Sequence, residues 1–197
     1  MLQQERPQFS KDLLQLRRIH DDRIFPVRDA FIDVEVTDGS NHANKAVDLA
    51  VDMAAKNSDA LTVLSVIESG ALTEDAKRLA AQKGVDMNPV LDIPDITGIV
   101  PEGGPILPNV KGTLAIMRIQ AELAEAIMED AKDRTSAARG LTETGHAAEA
   151  ILRVAEAEGA DLIVMGSRGL GGLKSLLVGS VSQKVSHLAN CTCITVN

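Results

Sequence analysis

One junction constrains this chain more than any other. Asp161-Leu162-Ile163-Val164-Met165 runs straight into Gly166-Ser167-Arg168-Gly169-Leu170-Gly171-Gly172, and Ser180-Val181-Ser182-Gln183 follows. A short, almost wholly apolar run of this kind reads as a strand covered on both faces of a parallel sheet. Ser180 to Gln183 has the spacing of a capping box, with Val181, Val185 and Leu188 marking one face of the helix it opens. The glycines therefore lie between the carboxyl end of a buried strand and the amino end of a helix. Open α/β sheets take ligands at that place, and free backbone N–H groups with the helix dipole favour an anion. Two common phosphate motifs fail on spacing. The third glycine of G-x-G-x-x-G would fall on Lys174, and Leu173 precedes Lys174-Ser175 where a P-loop needs glycine.

The spacing that fits is G-x2-G-x9-G-[ST], carried by Gly166, Gly169, Gly179 and Ser180. It resembles the nucleotide-binding signature of the universal stress protein family, in its ATP-binding branch. The same residues also read as a turn whose glycines take positive φ, with Ser180 as no more than a helix cap.

Upstream, residues 1–28 form an N-terminal extension in which Ser10 can cap a short amphipathic helix and Pro26 closes the segment. Phe31 to Thr37 reads as a first strand, although Asp33 and Glu35 are charges that a buried strand does not ordinarily carry. Thr37-Asp38-Gly39-Ser40 then opens a helix to about Asn57, with Val47, Ala50, Val51 and Ala54 as its apolar stripe. Ala60 to Ile67 is a second strand, β-branched and nearly continuous. Thr73 caps a helix to Gln82, with Gly84 just beyond it.

Asn88 to Gly112 holds five of the seven prolines, yet carries too many aliphatic residues for a disordered linker. It belongs to an insertion at about 69–112, placed for a lid or a protein-partner surface; packing on the domain's own flank is the alternative. Thr113 to about Thr135 is the longest helix, with Leu114, Met117, Ala121, Ala124, Met128 and Ala131 along one side. Ser136 to Thr144 is a poor strand by propensity, called for by the βαβ alternation. Gly145-His146-Ala147 to Leu152 opens the next helix and resembles the family's G-x-P-x-x-x-I-L, with Ala147 in the proline's place. Cys191 to Val196 is the last strand.

A net charge of −8 gives no footprint for nucleic acid or an anionic membrane, and no apolar run is long enough for membrane insertion. The start lacks the apolar core of a signal peptide, so the expected localisation is cytoplasmic. Cys191 and Cys193 alternate with Thr192 and share one face, read as buried free thiols, with a redox role as the lesser alternative. The four histidines, His20, His42, His146 and His187, show no metal or catalytic spacing. No nucleophile has its own base, which argues against rapid hydrolysis.

The expected fold is a three-layer α/β sandwich with a five-stranded, mostly parallel sheet over residues 29–197. The resemblance covers about 29–67 and 113–197. It implies that ATP is held by Thr37, Asp38, Val66, Met165, Gly166, Gly169, Gly179, Ser180 and Val181, with Arg168 and Lys174 as candidate charge partners. It implies Mg²⁺ accompanying the triphosphate, a homodimer paired through the last strand, and a role in stress adaptation with nucleotide as a switch. Two other readings stand beside it: a nucleotide-free interaction module of the same fold, and an ATP-using enzyme. The enzyme reading calls for an S-G-G-x-D-S pyrophosphate loop after strand one, which Asp38-Gly39-Ser40 does not supply.

Overall fold

Ten elements alternate along the chain in the computed structural model, which describes residues 32–57, 59–68, 70–91, 110–135, 138–171 and 178–197. They are β1 (Ile32–Thr37), α1 (Asn41–Asn57), β2 (Ala60–Ile67), α2 (Glu74–Gln82), α3 (Val110–Arg134), β3 (Arg139–Thr144), α4 (Ala147–Glu158), β4 (Leu162–Gly166), α5 (Ser180–Leu188) and β5 (Thr192–Val196). The strands form one all-parallel sheet in the order β3-β2-β1-β4-β5. The extension at 1–28, Phe31, Lys174 and residues 92–109 of the insertion lie outside the described residues.

The sheet is covered on both faces, which is why β4 is apolar at every position. Ile163 and Met165 join Val34 and Leu64 against Ile151, Val154 and Ala155 of α4 and Val185 of α5. Leu162 and Val164 face the other way, with Leu61 and Val63, onto Ala46, Ala50 and Ala54 of α1 and Met128 and Ala131 of α3. The alanines of α1 recur at helical spacing and let that helix lie close on the sheet. A third cluster joins α2 to α3 through Ala76, Ala80, Ile119, Leu123 and Ile127. Thr73 caps α2 as its sequence suggests, its hydroxyl accepting from the Ala76 N–H at 3.1 Å. Gly159, with φ of 64°, ends α4 in the left-handed conformation.

Three expectations are corrected. α3 starts at Val110, ahead of Thr113, and its Leu114 and Met117 are exposed among the described residues. Leu188 of α5 is likewise half exposed, because α5 ends there and nothing described overlies it. The last strand begins at Thr192, so Cys191 precedes it.

The charges of β1 are buried. Asp33, Glu35 and Thr37 alternate onto the face beneath α1 and α3, and both acids are fully enclosed. Neither carboxylate oxygen of Glu35 has a hydrogen-bond partner among the described residues. Burial first, and the Asp38 carboxylate second, hold its carboxyl well above the ordinary 4.5, with Arg134 pulling the other way. The guanidinium of Arg134 is bonded to Asp48 at 2.5 Å, so its charge is shared with another acid. Burial therefore favours the neutral form of Glu35 to a higher pH than for an exposed glutamate. Folding binds its proton more tightly, so this group supports stability fully below the unfolded value and loses that support as pH rises toward the folded one. A Glu35→Gln substitution, which cannot ionise, should leave the melting temperature near wild type at pH about 4 and raise it at pH about 8. Thermal unfolding across that range checks this, and parallel curves for the two proteins would show that Glu35 does not titrate on unfolding.

Candidate functional site

β1 is followed by strands on one side and β4 lies on the other, so the sheet order reverses between them. The chain leaving β1 turns into α1 on one face, and the chain leaving β4 leads to α5 on the opposite face. That divergence opens a cleft of about 550 Å³ at the carboxyl ends of the strands. All nine sequence-derived residues line it: Thr37, Asp38, Val66, Met165, Gly166, Gly169, Gly179, Ser180 and Val181. Its walls are largely apolar, with Val36, Val66, Met165 and Ile151 on one side and Leu72, Leu123 and Ile127 on the other.

The glycines are needed for close approach, not for positive φ. None of Gly166, Gly169 and Gly179 is among the positive-φ glycines. A Cβ on Gly166 would stand 2.7 Å from the Ala43 nitrogen and 2.8 Å from the His42 carbonyl carbon, both rigid backbone at the start of α1. One on Gly169 would collide with the Asp38 carboxylate. Gly179 has φ of −73° and an ordinary extended backbone, and a Cβ there would stand 3.3 Å from the Ser167 carbonyl oxygen.

The capping box is also corrected. Gly179 is the N-cap of α5 and makes no side-chain cap, while Ser180 is the first helical residue. Ser182 turns inward instead and donates to the Gly166 carbonyl at 2.8 Å, tying the first turn of α5 to the end of β4. Among the described residues, the N-terminal N–H groups of α5 are thus left without a side-chain cap at the edge of the cleft.

Asp38 organises the opposite side. Its Oδ1 accepts from the Ser40 N–H at 3.0 Å, and its Oδ2 accepts from the Leu170 N–H at 2.7 Å. Ser40 donates to the Arg168 carbonyl at 3.3 Å, and Thr73 donates to the Leu170 carbonyl at 2.9 Å. Leu170 packs its side chain on the α2–α3 cluster. The glycine loop is therefore held by β1, α1 and α2 together. Arg168 lines the cleft with its Nε buried and, among the described residues, facing no acceptor.

Glu68, Gln120 and Thr73 line the cleft as well, and sequence reasoning did not single out the first two. Glu68 explains the missing proline. Its Oε1 accepts at 3.1 Å from the Ala147 N–H, a donor that proline would lack, and it caps α4 where His146 supplies no side-chain bond. Gln120 steadies the same turn by donating to the Glu68 and Gly70 carbonyls at 2.8 and 3.1 Å. His42 sits 3.3 Å from the Ser167 hydroxyl, behind the cleft, and neither it nor His146 lines the space. Among the described residues no cluster of three His, Cys, Asp or Glu could hold a metal ion, and no helix is long and apolar enough to cross a membrane.

Known proteins carry the same design. Residues 101–197 match the universal stress protein family. The universal stress protein YxiE of Bacillus subtilis is 34% identical over 160 residues, covering 81% of this chain and 93% of its own length. The chain belongs to the universal stress protein family. The stress response protein NhaX of the same organism is 30% identical over 76% of this chain and 87% of its own length. Among solved structures, the fold matches universal stress protein UspA from Lactobacillus plantarum with a TM-score of 0.55 at 20% identity, over 85% of this chain and 97% of that one. It also matches a universal stress protein in complex with cAMP, with a TM-score of 0.54 at 21% identity, over 86% of this chain and 99% of that one.

Among the described glycines of this family member, Gly166 is the one whose added Cβ would meet rigid backbone most closely. Gly166→Ala should cost about 1–3 kcal/mol, since the clash is with helix backbone and no rotamer relieves it. Chemical denaturation measures this. A loss no greater than that of Gly171→Ala, an exposed control whose φ lies outside the left-handed region and whose Cβ would meet nothing nearer than 3.9 Å, would show that β4 and α1 can part freely.

Proposed function

We propose that this protein binds ATP in the cleft between β1 and β4 and uses it as a regulatory ligand in stress adaptation. The observation that carries the reading is the buried Arg168 Nε, without an acceptor among the described residues, in a cleft bordered by the described parts of the glycine loop and the start of α5. Arg168 and the N-terminus of α5 both border this cleft, and a guanidinium and free helix N–H groups both favour an anion. The lining around Val66, Ile151 and Ala147 offers an apolar slot of the kind that takes a flat base. The family relative solved with cAMP supports an adenine ligand in this fold.

Each residue then has a task. Val66 and Met165 give apolar contact to the base, and Thr37 and Asp38 border the sugar. Gly166, Gly169 and Gly179 let the phosphates approach backbone N–H groups, with Ser180 and Val181 at the start of α5. Mg²⁺ accompanies the triphosphate, held by phosphate oxygens and water. The carboxylates lining the described part of the cleft are Asp38 and Glu68, and backbone N–H groups already occupy oxygens of both. Oxygens already engaged in this way are not free to accept a proton from an attacking water. The nucleotide is thus a ligand that orders the loop, not a substrate turned over rapidly.

Titration with Mg·ATP tests this. Arg168→Gln should weaken affinity about tenfold or more, the worth of one charge-assisted phosphate contact, without changing the melting temperature much. Gly179→Ala should lower affinity while keeping the fold, because its φ suits alanine and its Cβ would project where phosphate approaches. The chain has no Trp and no Tyr, so nucleotide carried through purification should dominate its ultraviolet spectrum. Absence of bound nucleotide together with no binding of added ATP would leave the interaction-module reading in its place.

A further inference from the structure

At one border of the cleft the side-chain donors and acceptors can be counted, and the count is one-sided. Glu68 follows β2 directly, Ala147 opens α4, and Gln120 belongs to α3; all three line the cleft together with Val66 and Ile151 of the apolar slot. β2 and β3 end there side by side, with Ile67 paired in register with Thr144. The Gly145 N–H donates to the Ile67 carbonyl at 2.9 Å, which holds the start of α4 against the chain leaving β2.

The Gln120 amide spends its hydrogens on this turn, donating to the Glu68 carbonyl at 2.8 Å and to the Gly70 carbonyl at 3.1 Å. Carbonyls only accept, so the amide nitrogen must face them, and the amide oxygen is the atom left over. The Glu68 carboxylate consists of acceptors, and its Oε1 takes the Ala147 N–H at 3.1 Å. Its Oε2 takes no further bond among the described residues. The backbone carbonyls of Ile67, Glu68 and Gly70 are engaged within the turn itself. Among the described residues, then, these two side chains leave a ligand two acceptor oxygens and no donor.

We propose that Glu68 is a specificity-determining residue which, with the Gln120 oxygen, selects a base whose edge carries an exocyclic amine. The inference rests on the nucleotide reading above and narrows it to the base. The exocyclic amine of adenine brings hydrogens to the waiting oxygens. In hypoxanthine or guanine a carbonyl oxygen stands in that place and meets them lone pair to lone pair, so both sides give up water without gaining a bond. Shape alone does not separate an amine from a carbonyl oxygen of nearly the same size; a mismatch of donors and acceptors does. Glu68 is exposed, so water competes for its free oxygen and the selection is modest, about tenfold.

Glu68→Gln is the informative change. The new amide keeps an oxygen for the Ala147 N–H, so the cap on α4 survives, and its NH2 takes the place of the free carboxylate oxygen. A donor replaces an acceptor with little change of shape. ATP and ITP carry the same sugar and triphosphate, so the ratio of their affinities cancels any effect of the lost charge on the phosphates.

The test is calorimetric titration of the full chain with Mg·ATP and with Mg·ITP. The wild type should hold ATP about tenfold more tightly than ITP, and Glu68→Gln should bring that ratio to about one or reverse it. Purine riboside triphosphate, which has hydrogen in place of the amine, should fall between the two. Equal affinity of the wild type for ATP and ITP would overturn the inference while leaving nucleotide binding in place. So would a ratio that Glu68→Gln does not move. Binding of neither nucleotide would bring down the underlying reading and this inference together. Thermal unfolding shows whether the variant remains folded, and if it does not, the wild-type ratio alone decides.

Discussion

Between the last residue of β4 and the first turn of α1 there is no room for a side chain, and the cleft depends on that contact. Gly166 brings the strand end against the backbone of His42 and Ala43. With α1 seated so close to the sheet edge, the turn of Asp38 to Ser40 faces the loop leaving β4 across a hydrogen-bond distance. Asp38 reaches Leu170 and Ser40 reaches Arg168 only from there. Ser182 secures the same strand end from the other face. A methyl group's width of separation would place these partners beyond hydrogen-bonding range, and the two chains leaving β1 and β4 would no longer enclose a common space.

Much of this was legible in the chain, and the misses share a cause. β4 announced itself because a strand covered on both faces must be apolar throughout, and the glycine spacing located the cleft beside it. The reason for the glycines was not legible, since φ and close approach ask for the same residue. Here the Asp38–Ser40 turn has the positive φ, at Gly39 with 75°, while the signature glycines answer to neighbours far along the chain. Local spacing points to Ser180 as the cap of a capping box, whereas Gly179 takes that place and Ser182 is claimed by carbonyls 15 and 16 residues upstream. The bond between Glu68 and Ala147 spans 79 residues and left only an indirect trace, a proline's absence.

The first strand shows a different limit. Its alternation was readable, and its charges were visibly out of place, but sequence does not say whether a buried acid finds a partner. Thr37, on the same face, accepts from the Gly39 N–H, while the Glu35 carboxyl has no hydrogen-bond partner among the described residues. An isolated ionised carboxylate in such surroundings is costly enough that neutralisation is the cheaper course. Leu114, Met117 and Leu188 are the converse case: helical periodicity marks the apolar face correctly, yet burial requires another element to lie over it.

Leu170 carries a further consequence. Its amide and its carbonyl are both committed, one to β1 and the other to the start of α2, and its side chain is lodged where α2 meets α3. The glycine loop is for that reason a lever with its pivot on α2. Swinging it outward breaks two hydrogen bonds and strips apolar contact, a barrier of about 2–5 kcal/mol from those terms together. How readily the described part of the loop parts from the cleft then depends on how firmly a nine-residue helix holds its seat. Ala76 and Ala80, which never touch the cleft's glycines in sequence or motif, become part of its timing through the packing of that helix.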